Sequence, residues 1–215
     1  MNKKIKVNEI YYSIQGESSF SGFPCIFIRL TYCNLRCSYC DSEYAFYEGS
    51  DMTIDEIVKK IKKYNCNLVE VTGGEPLVQS ECINLLNKLI DLNYDVMLET
   101  GGSLPVNLVH KNIKKIIDFK CPSSKMEHKN LWSILDDVSN NDEIKFVIGN
   151  KNDFEWAQNK ILEHDLENKC TLLFSCVFDK LDYKILVKWM LESNIKARFQ
   201  LQTHKHIWEE ETRGV

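Results

Sequence analysis

The stretch Asn67-Leu68-Val69-Glu70-Val71 runs straight into Thr72-Gly73-Gly74-Glu75-Pro76, and a helical pattern over 81–92 follows within a few residues. An apolar run, a glycine- and proline-rich turn and then a helix make one βα unit. Upstream, 24–30 reads as another strand. Over 53–64, Ile54, Ile57, Val58 and Ile61 fall at helical spacing behind Thr53 and Glu56, a capping box. Downstream the alternation continues, with strands expected over 95–98, 115–119, 143–148, 171–177 and 197–202 and helices over 153–164 and 183–193. Such a chain builds a mostly parallel sheet. No linker, repeat or low-complexity tract interrupts it, so a single domain over 1–215 is expected. The expected fold is α/β: a partial, open TIM-like barrel of βα units, with its ligands at the C-terminal ends of the strands.

Composition narrows the class. Of 215 residues, 44% are hydrophobic and 27% charged, which is ordinary for a compact soluble domain. No apolar stretch approaches the roughly 20 residues needed to cross a bilayer, so no membrane association is expected. The net charge of −4, with Lys and Arg dispersed, argues against a nucleic-acid partner, whose phosphates demand a basic face. The locally basic 59–63 segment fits the solvated side of a helix. Reduced thiols and no export signal point to the cytoplasm.

Cys33, Cys37 and Cys40 form a C-x-x-x-C-x-x-C cluster that leads directly into Asp41. Three thiolates packed this closely can hold three corners of a cubic iron–sulfur cluster and leave its fourth iron open to a small molecule. A structural zinc site is closed by four protein ligands, and the nearest histidine, His110, is far along the chain. On spacing alone, zinc and coincidence both stay open. Nine cysteines, an odd number, argue against a disulfide framework. Cys25, Cys66, Cys82, Cys121, Cys170 and Cys176 read as small buried hydrophobes. In the Thr72–Pro76 stretch, the two glycines let backbone amides approach a ligand closely; a tight strand-to-helix turn would use the same residues.

The pairing of this cysteine cluster with Gly73-Gly74-Glu75-Pro76 resembles the radical S-adenosylmethionine superfamily, over nearly the whole chain. The resemblance implies a 4Fe–4S cluster on Cys33, Cys37 and Cys40, with S-adenosylmethionine chelated to the open iron. Reductive cleavage then gives a 5′-deoxyadenosyl radical that abstracts hydrogen from substrate. It implies cofactor contacts from Tyr39, Cys40 and Asp41, and from Gly74 and Glu75. It implies more at successive strand ends: Glu99, the run Asp118, Phe119 and Lys120, and the run Ser175, Cys176, Val177 and Phe178. Some members carry Ser-Pro-Lys where this chain has Asp118-Phe119-Lys120. Without the family, Tyr39 is a partly buried loop aromatic and Asp118 a strand-end carboxylate capping a turn.

The ends of the chain narrow the resemblance. Tyr12-Ser13-Ile14-Gln15-Gly16-Glu17, Cys40-Asp41-Ser42 and Leu201-Gln202-Thr203-His204-Lys205 look like the 7-carboxy-7-deazaguanine synthases of 7-deazapurine and queuosine biosynthesis. That family turns 6-carboxy-5,6,7,8-tetrahydropterin into 7-carboxy-7-deazaguanine with ring contraction and loss of ammonia. The resemblance makes Ser42 a Mg²⁺ ligand, a hard oxygen donor. Alone, Ser42 is a turn or cap residue. It assigns the pterin to Ile14, Gln15, Gly16, Glu17 and Thr72, and its carboxylate to a bidentate fork from Arg29. The plain alternatives are a strand-end salt bridge for Arg29 and a surface charge for Glu17. Gln202 and His204 are expected to face the substrate from one side of a strand, with His206 in phase and Val215 bringing the C-terminal carboxylate near. A homodimer and a flavodoxin or ferredoxin electron donor complete the expectation. The rival resemblance, an activating enzyme for glycyl-radical proteins, shares the cysteines and the glycine loop but not Ile14–Glu17 or the His204 segment. A zinc-stabilised binding module has no use for the glycine loops.

Overall fold

In a computed structural model the described residues, 3–209 and 212–215, build one nine-stranded sheet. Its strands are β1 (Lys4–Ile14), β2 (Pro24–Leu30), β3 (Ser50–Thr53), β4 (Leu68–Gly73), β5 (Asp95–Thr100), β6 (Lys114–Phe119), β7 (Glu143–Ile148), β8 (Thr171–Cys176) and β9 (Ala197–Phe199). The order across the sheet is β3-β1-β2-β4-β5-β6-β7-β8-β9. From β2 to β9 every pairing is parallel; β1 runs antiparallel to both β2 and β3. The sheet is open, with β3 and β9 at its edges, as expected of a partial barrel.

Helices α1 (Ile54–Ile61), α2 (Glu81–Asp91), α3 (Lys151–Glu163) and α4 (Tyr183–Ser193) stand between parallel strands, and α5 (His204–Ile207) is a single turn near the end. Thr53 caps α1 through the expected box: its hydroxyl accepts from Glu56 N–H and the Glu56 carboxylate accepts from Thr53 N–H. The connections from β5 to β6 and from β6 to β7 carry only loops and 3-10 turns. Two strands go beyond the sequence reading. β1 alternates buried Ile5 and Val7 with outward Lys4, Lys6 and Asn8, the pattern of a half-exposed antiparallel strand, and β3 pairs with its first residues.

The last strand is shorter than expected. β9 ends at Phe199, and His204 begins α5, so Gln202 and His204 do not share a strand. The reason lies across the barrel opening. There Gln200 Oε1 accepts from Ser18 N–H, Gly16 C=O accepts from Thr203 N–H, and Arg198 donates to the Ser19 hydroxyl. The β1–β2 loop thus holds the chain after β9 and pulls it out of the sheet.

Strand parity divides the core. Ile26, Ile28 and Leu30 of β2 enter the large cluster under the helices, as do Val69 and Val71, Val96 and Leu98, Ile117 and Phe119, and Ile144, Phe146 and Ile148. The alternate positions face the barrel interior, where Cys25, Phe27, Leu68, Met97 and Ile116 form a small second cluster. The polar members of that same face build the site.

Candidate active site

A cavity of about 470 Å³ opens at the C-terminal ends of the parallel strands. Interior parity brings five strands' polar side chains to it: Arg29 from β2, Glu70 and Thr72 from β4, Glu99 from β5, Asp118 from β6 and Lys145 from β7. Adjacent strands hold them in register, Arg29 beside Thr72 and Asp118 beside Lys145.

The cysteine loop forms one wall. Cys33, Cys37 and Cys40 all line the cavity. Burial raises all three thiols, Cys37 to about 11, and Lys120 opposes it at each of them. A cation facing three thiols favours their thiolates, the form that binds metal. Among the described residues no three His, Cys, Asp or Glu side chains converge on the position of one ion. Three thiols on one cavity wall with an open space beside them are the donor set of a cluster with one open iron. The glycine turn packs against this loop with no space to spare. A Cβ on Gly74 would lie 2.5 Å from Tyr32 O and 2.7 Å from Cys33 Cβ, and one on Gly73 would lie 2.3 Å from Leu30 O. Asp41 pairs with Lys205 of α5 at 2.8 Å, which ties the loop to the C-terminal segment. Ser42 holds the N-cap position of a 3-10 turn, yet its hydroxyl makes no cap bond and lies 3.9 Å from Cys40 Sγ.

Lys145 is the centre of the site, and the sequence reading missed it. Its ammonium meets Glu99 at 2.6 Å, Glu17 at 2.9 Å and Asp118 at 3.5 Å. Burial disfavours its charge, but the three carboxylates outweigh that and hold it well above the ordinary lysine value. Burial likewise pushes Glu99 up, and Lys145 more than offsets it, so Glu99 ends below the usual carboxylate range. Asp118 Oδ2 also accepts from Lys120 at 3.0 Å, while its buried Oδ1 has no partner among the described residues. An orphaned acceptor beside the cysteine wall is what a ribose hydroxyl needs, so the residues present fit S-adenosylmethionine. A signal for Lys145 was available: it is the lone charge inside the apolar Ile144–Ile148 run, as Glu70 and Asp118 are in theirs.

The β1–β2 loop and the C-terminal segment close the other side. Glu17 accepts from Lys145, Gln200 and Gln202. His204 sits on Gly16, and burial lowers its pKa against the pull of Glu17, which favours the neutral ring. Ile14, Val177, Phe178 and Val215 also line the cavity. Two expected contacts arrive already engaged. Gln15 donates its Nε2 to Glu70 and accepts from Glu17 N–H, so its amide is oriented by protein groups. Arg29 donates Nε–H to Glu9 at 2.8 Å and an Nη2–H to Tyr11 at 2.9 Å, leaving Nη1 without a partner among the described residues. The end-on pair of donors, rather than the whole guanidinium, is what remains for an anion. Tyr39 lies against the wall with its hydroxyl 3.5 Å from Val147 O.

Four expected residues stay off the cavity wall. Glu75 is fully buried and accepts from Leu77 N–H, Gly101 N–H and the Thr100 hydroxyl, tying the ends of β4 and β5 together. Phe119 and Cys176 have the parity of the helix-side core, where Phe119 stacks on Trp132. Ser175 faces the interior but is buried below the cavity.

Residues 27–123, which carry the cysteine loop and the glycine turn, match the Radical SAM superfamily. That defines the class: a partial barrel with a three-cysteine loop at its mouth. Over 98% of its length the chain is 45% identical to the 7-carboxy-7-deazaguanine synthase of Chlorobaculum tepidum, covering 97% of that protein. The corresponding enzyme of Koribacter versatilis is 43% identical, with 98% of this chain and all of that one aligned. The chain belongs to the 7-carboxy-7-deazaguanine synthase family. The crystal structure of QueE from Escherichia coli superposes with a TM-score of 0.78 over 94% of this chain and 95% of that one, at 22% identity, and shares its fold.

Proposed function

We propose that the chain, as one domain over 1–215, converts 6-carboxy-5,6,7,8-tetrahydropterin to 7-carboxy-7-deazaguanine. The product is the substrate less one ammonia, so the overall change needs no external oxidant. The single observation that carries this reading is the meeting of three separate segments around one cavity: the cysteine loop, the Gln15–Glu17 loop and the His204 turn.

Cys33, Cys37 and Cys40 would hold a 4Fe–4S cluster, and Asp118 with Gly74 would receive S-adenosylmethionine beside it. Together those groups supply the one-electron chemistry that begins hydrogen abstraction. The protein's own residues orient and enclose the substrate. The unpartnered Nη1 end of Arg29 takes the pterin carboxylate, while Glu17, held by Lys145 and two glutamines, and the neutral His204 face the ring. Thr72, whose hydroxyl donates to Glu99 at 3.2 Å, lies between the substrate and cofactor sides. Ser42, free of any cap bond, would contribute its hydroxyl to a Mg²⁺ ion shared with substrate and water oxygens. On the family resemblance, the working unit is a cytoplasmic homodimer that draws electrons from a flavodoxin or ferredoxin. No helix among the described residues is long and apolar enough to cross a membrane.

The test is an anaerobic assay of the reconstituted protein with dithionite, S-adenosylmethionine, Mg²⁺ and the pterin, read by mass spectrometry. Formation of 5′-deoxyadenosine with 7-carboxy-7-deazaguanine is the expected result. Deoxyadenosine without the deazaguanine would overturn the substrate assignment.

A further inference from the structure

Four carboxylates from the β1–β2 loop and the strands face the cavity, and two of them, Glu17 and Glu99, have both oxygens engaged. Glu17 Oε1 accepts from Gln202, and its Oε2 accepts from Lys145 and Gln200. Glu99 accepts from Lys145 on one oxygen and Thr72 on the other. Asp118 is held by two lysines next to the cysteine wall, with its free oxygen on the cofactor side. Glu70 is different. It is buried on β4 at the cavity floor, its Oε2 accepts from Gln15, and its Oε1 has no hydrogen-bond partner among the described residues.

One side of Glu70 is apolar. Tyr11, Phe27 and Ile116 line the same floor, and the Tyr11 and Phe27 rings stack at 4.8 Å. A flat heterocycle suits such a floor, but a carboxyl group there is costly unless something meets its free oxygen. Burial, and then the neighbouring Glu99 and Glu17, push its pKa well above the ordinary glutamate value, and Lys145 with the Gln15 hydrogen bond offsets them only in part. The fixed orientation of Gln15, which is bonded at both ends of its amide, pins Glu70 in one position.

We propose that Glu70 is a specificity residue that receives the 2-amino group of the pterin ring. This rests on the pterin reading above. That amino group lies between ring N1, an acceptor, and N3–H, a donor. Two ring donors, N3–H and the 2-amino group, favour the ionised carboxylate once the ring is bound, and each donates to one of its oxygens. Both hydrogen bonds lie in the plane of the ring. A ring carrying a carbonyl at that position would set oxygen against oxygen and be rejected. A site built to bond one group discriminates strongly against its absence.

The test is equilibrium binding of two fluorescent ring analogues to the reconstituted holoenzyme: 6-carboxypterin, with the 2-amino group, and 6-carboxylumazine, with a 2-oxo group. Wild type should prefer the pterin by about tenfold or more, as loss of a charge-assisted bond implies. Glu70→Gln places an amide donor on the floor, so the preference should collapse or invert. Cluster absorbance and substrate-free deoxyadenosine formation report that the variant is intact. An unchanged preference in an intact variant overturns the proposal. So does a wild type that binds both analogues equally, which decides the matter even where the variant fails to load its cluster. A wild type that binds neither analogue and yields no deazaguanine would instead remove the pterin reading on which the proposal stands.

Discussion

Gly16 leaves no room for a side chain beneath His204: a Cβ there would lie 2.1 Å from the imidazole Nδ1 and 3.1 Å from the backbone nitrogen. The two come from opposite ends of the chain and are locked by the bond from Thr203 N–H to Gly16 C=O at 2.9 Å. Gly16→Ala must push the imidazole away. Overpacking of about 1–3 kcal/mol is the usual scale of such a change. We expect the KM for the pterin to rise while the iron content of the reconstituted protein stays constant. Steady-state kinetics beside an iron assay separates the two; loss of iron without a change in KM would contradict the contact.

Glu75 is a keystone rather than a wall residue. Its carboxylate satisfies two backbone amides and one hydroxyl with no exposure to solvent. Glu75→Ala strands all three donors, at a cost on the order of 1–3 kcal/mol for each buried group left unpaired. Thermal unfolding of the metal-free protein should show a large loss of stability. A near-neutral result would rule out the keystone role.

Lys145 balances three carboxylates drawn from the β1–β2 loop, β5 and β6. Removing one partner from a buried charge network typically costs about 3–5 kcal/mol. Lys145→Met should therefore destabilise the protein far more than Lys188→Met, since Lys188 is exposed and pairs with the likewise exposed Glu192 on the surface of α4. Denaturant titration of both variants measures the contrast.

His204 carries a pH signature. Burial is the largest influence on it and depresses its folded pKa below the ordinary 6.5, although Glu17 pulls the other way. The unfolded chain then binds this proton at a higher pH than the folded chain does. Stability is thus fully present above 6.5 and is lost as pH falls from 6.5 through the folded value. Denaturation measured in a descending pH series should show that loss in wild type, and His204→Gln should flatten it. Equal slopes in the two proteins would place the titrating group elsewhere.

The metal-binding roles separate by variant. Cys37→Ala should abolish cluster loading and activity together, measured by visible absorbance and product formation. Ser42→Ala should load its cluster normally yet respond more weakly to added Mg²⁺. An unchanged Mg²⁺ response would remove Ser42 as a ligand.

Local patterns declared much of this protein. Strands at 24–30 and 143–148 and a helix at 183–193 fall where apolar runs and helical spacing place them, and the Thr53–Glu56 box starts α1. Within a few residues, chain chemistry decides such elements. The cysteine loop and the glycine turn were equally legible, because cluster binding and close backbone approach need particular residues at short spacing. Long-range placement was not. Whether Glu75 or Glu70 meets the cavity depends on strand parity and on which donors arrive from β5 and the β1–β2 loop. His204 leaves the strand because Gly16 and Ser18 capture the chain beyond β9.

The sequence by itself determined the class of fold, the three thiols and the stretches that would meet at the strand ends. Only the tertiary structure decided that Lys145 sits among three carboxylates, that one edge of Arg29 is already taken, and that Glu70 keeps an unpartnered oxygen on an apolar floor. The physical reason is that burial and pairing belong to a side chain's neighbours in space, and those neighbours come from segments far apart along the chain.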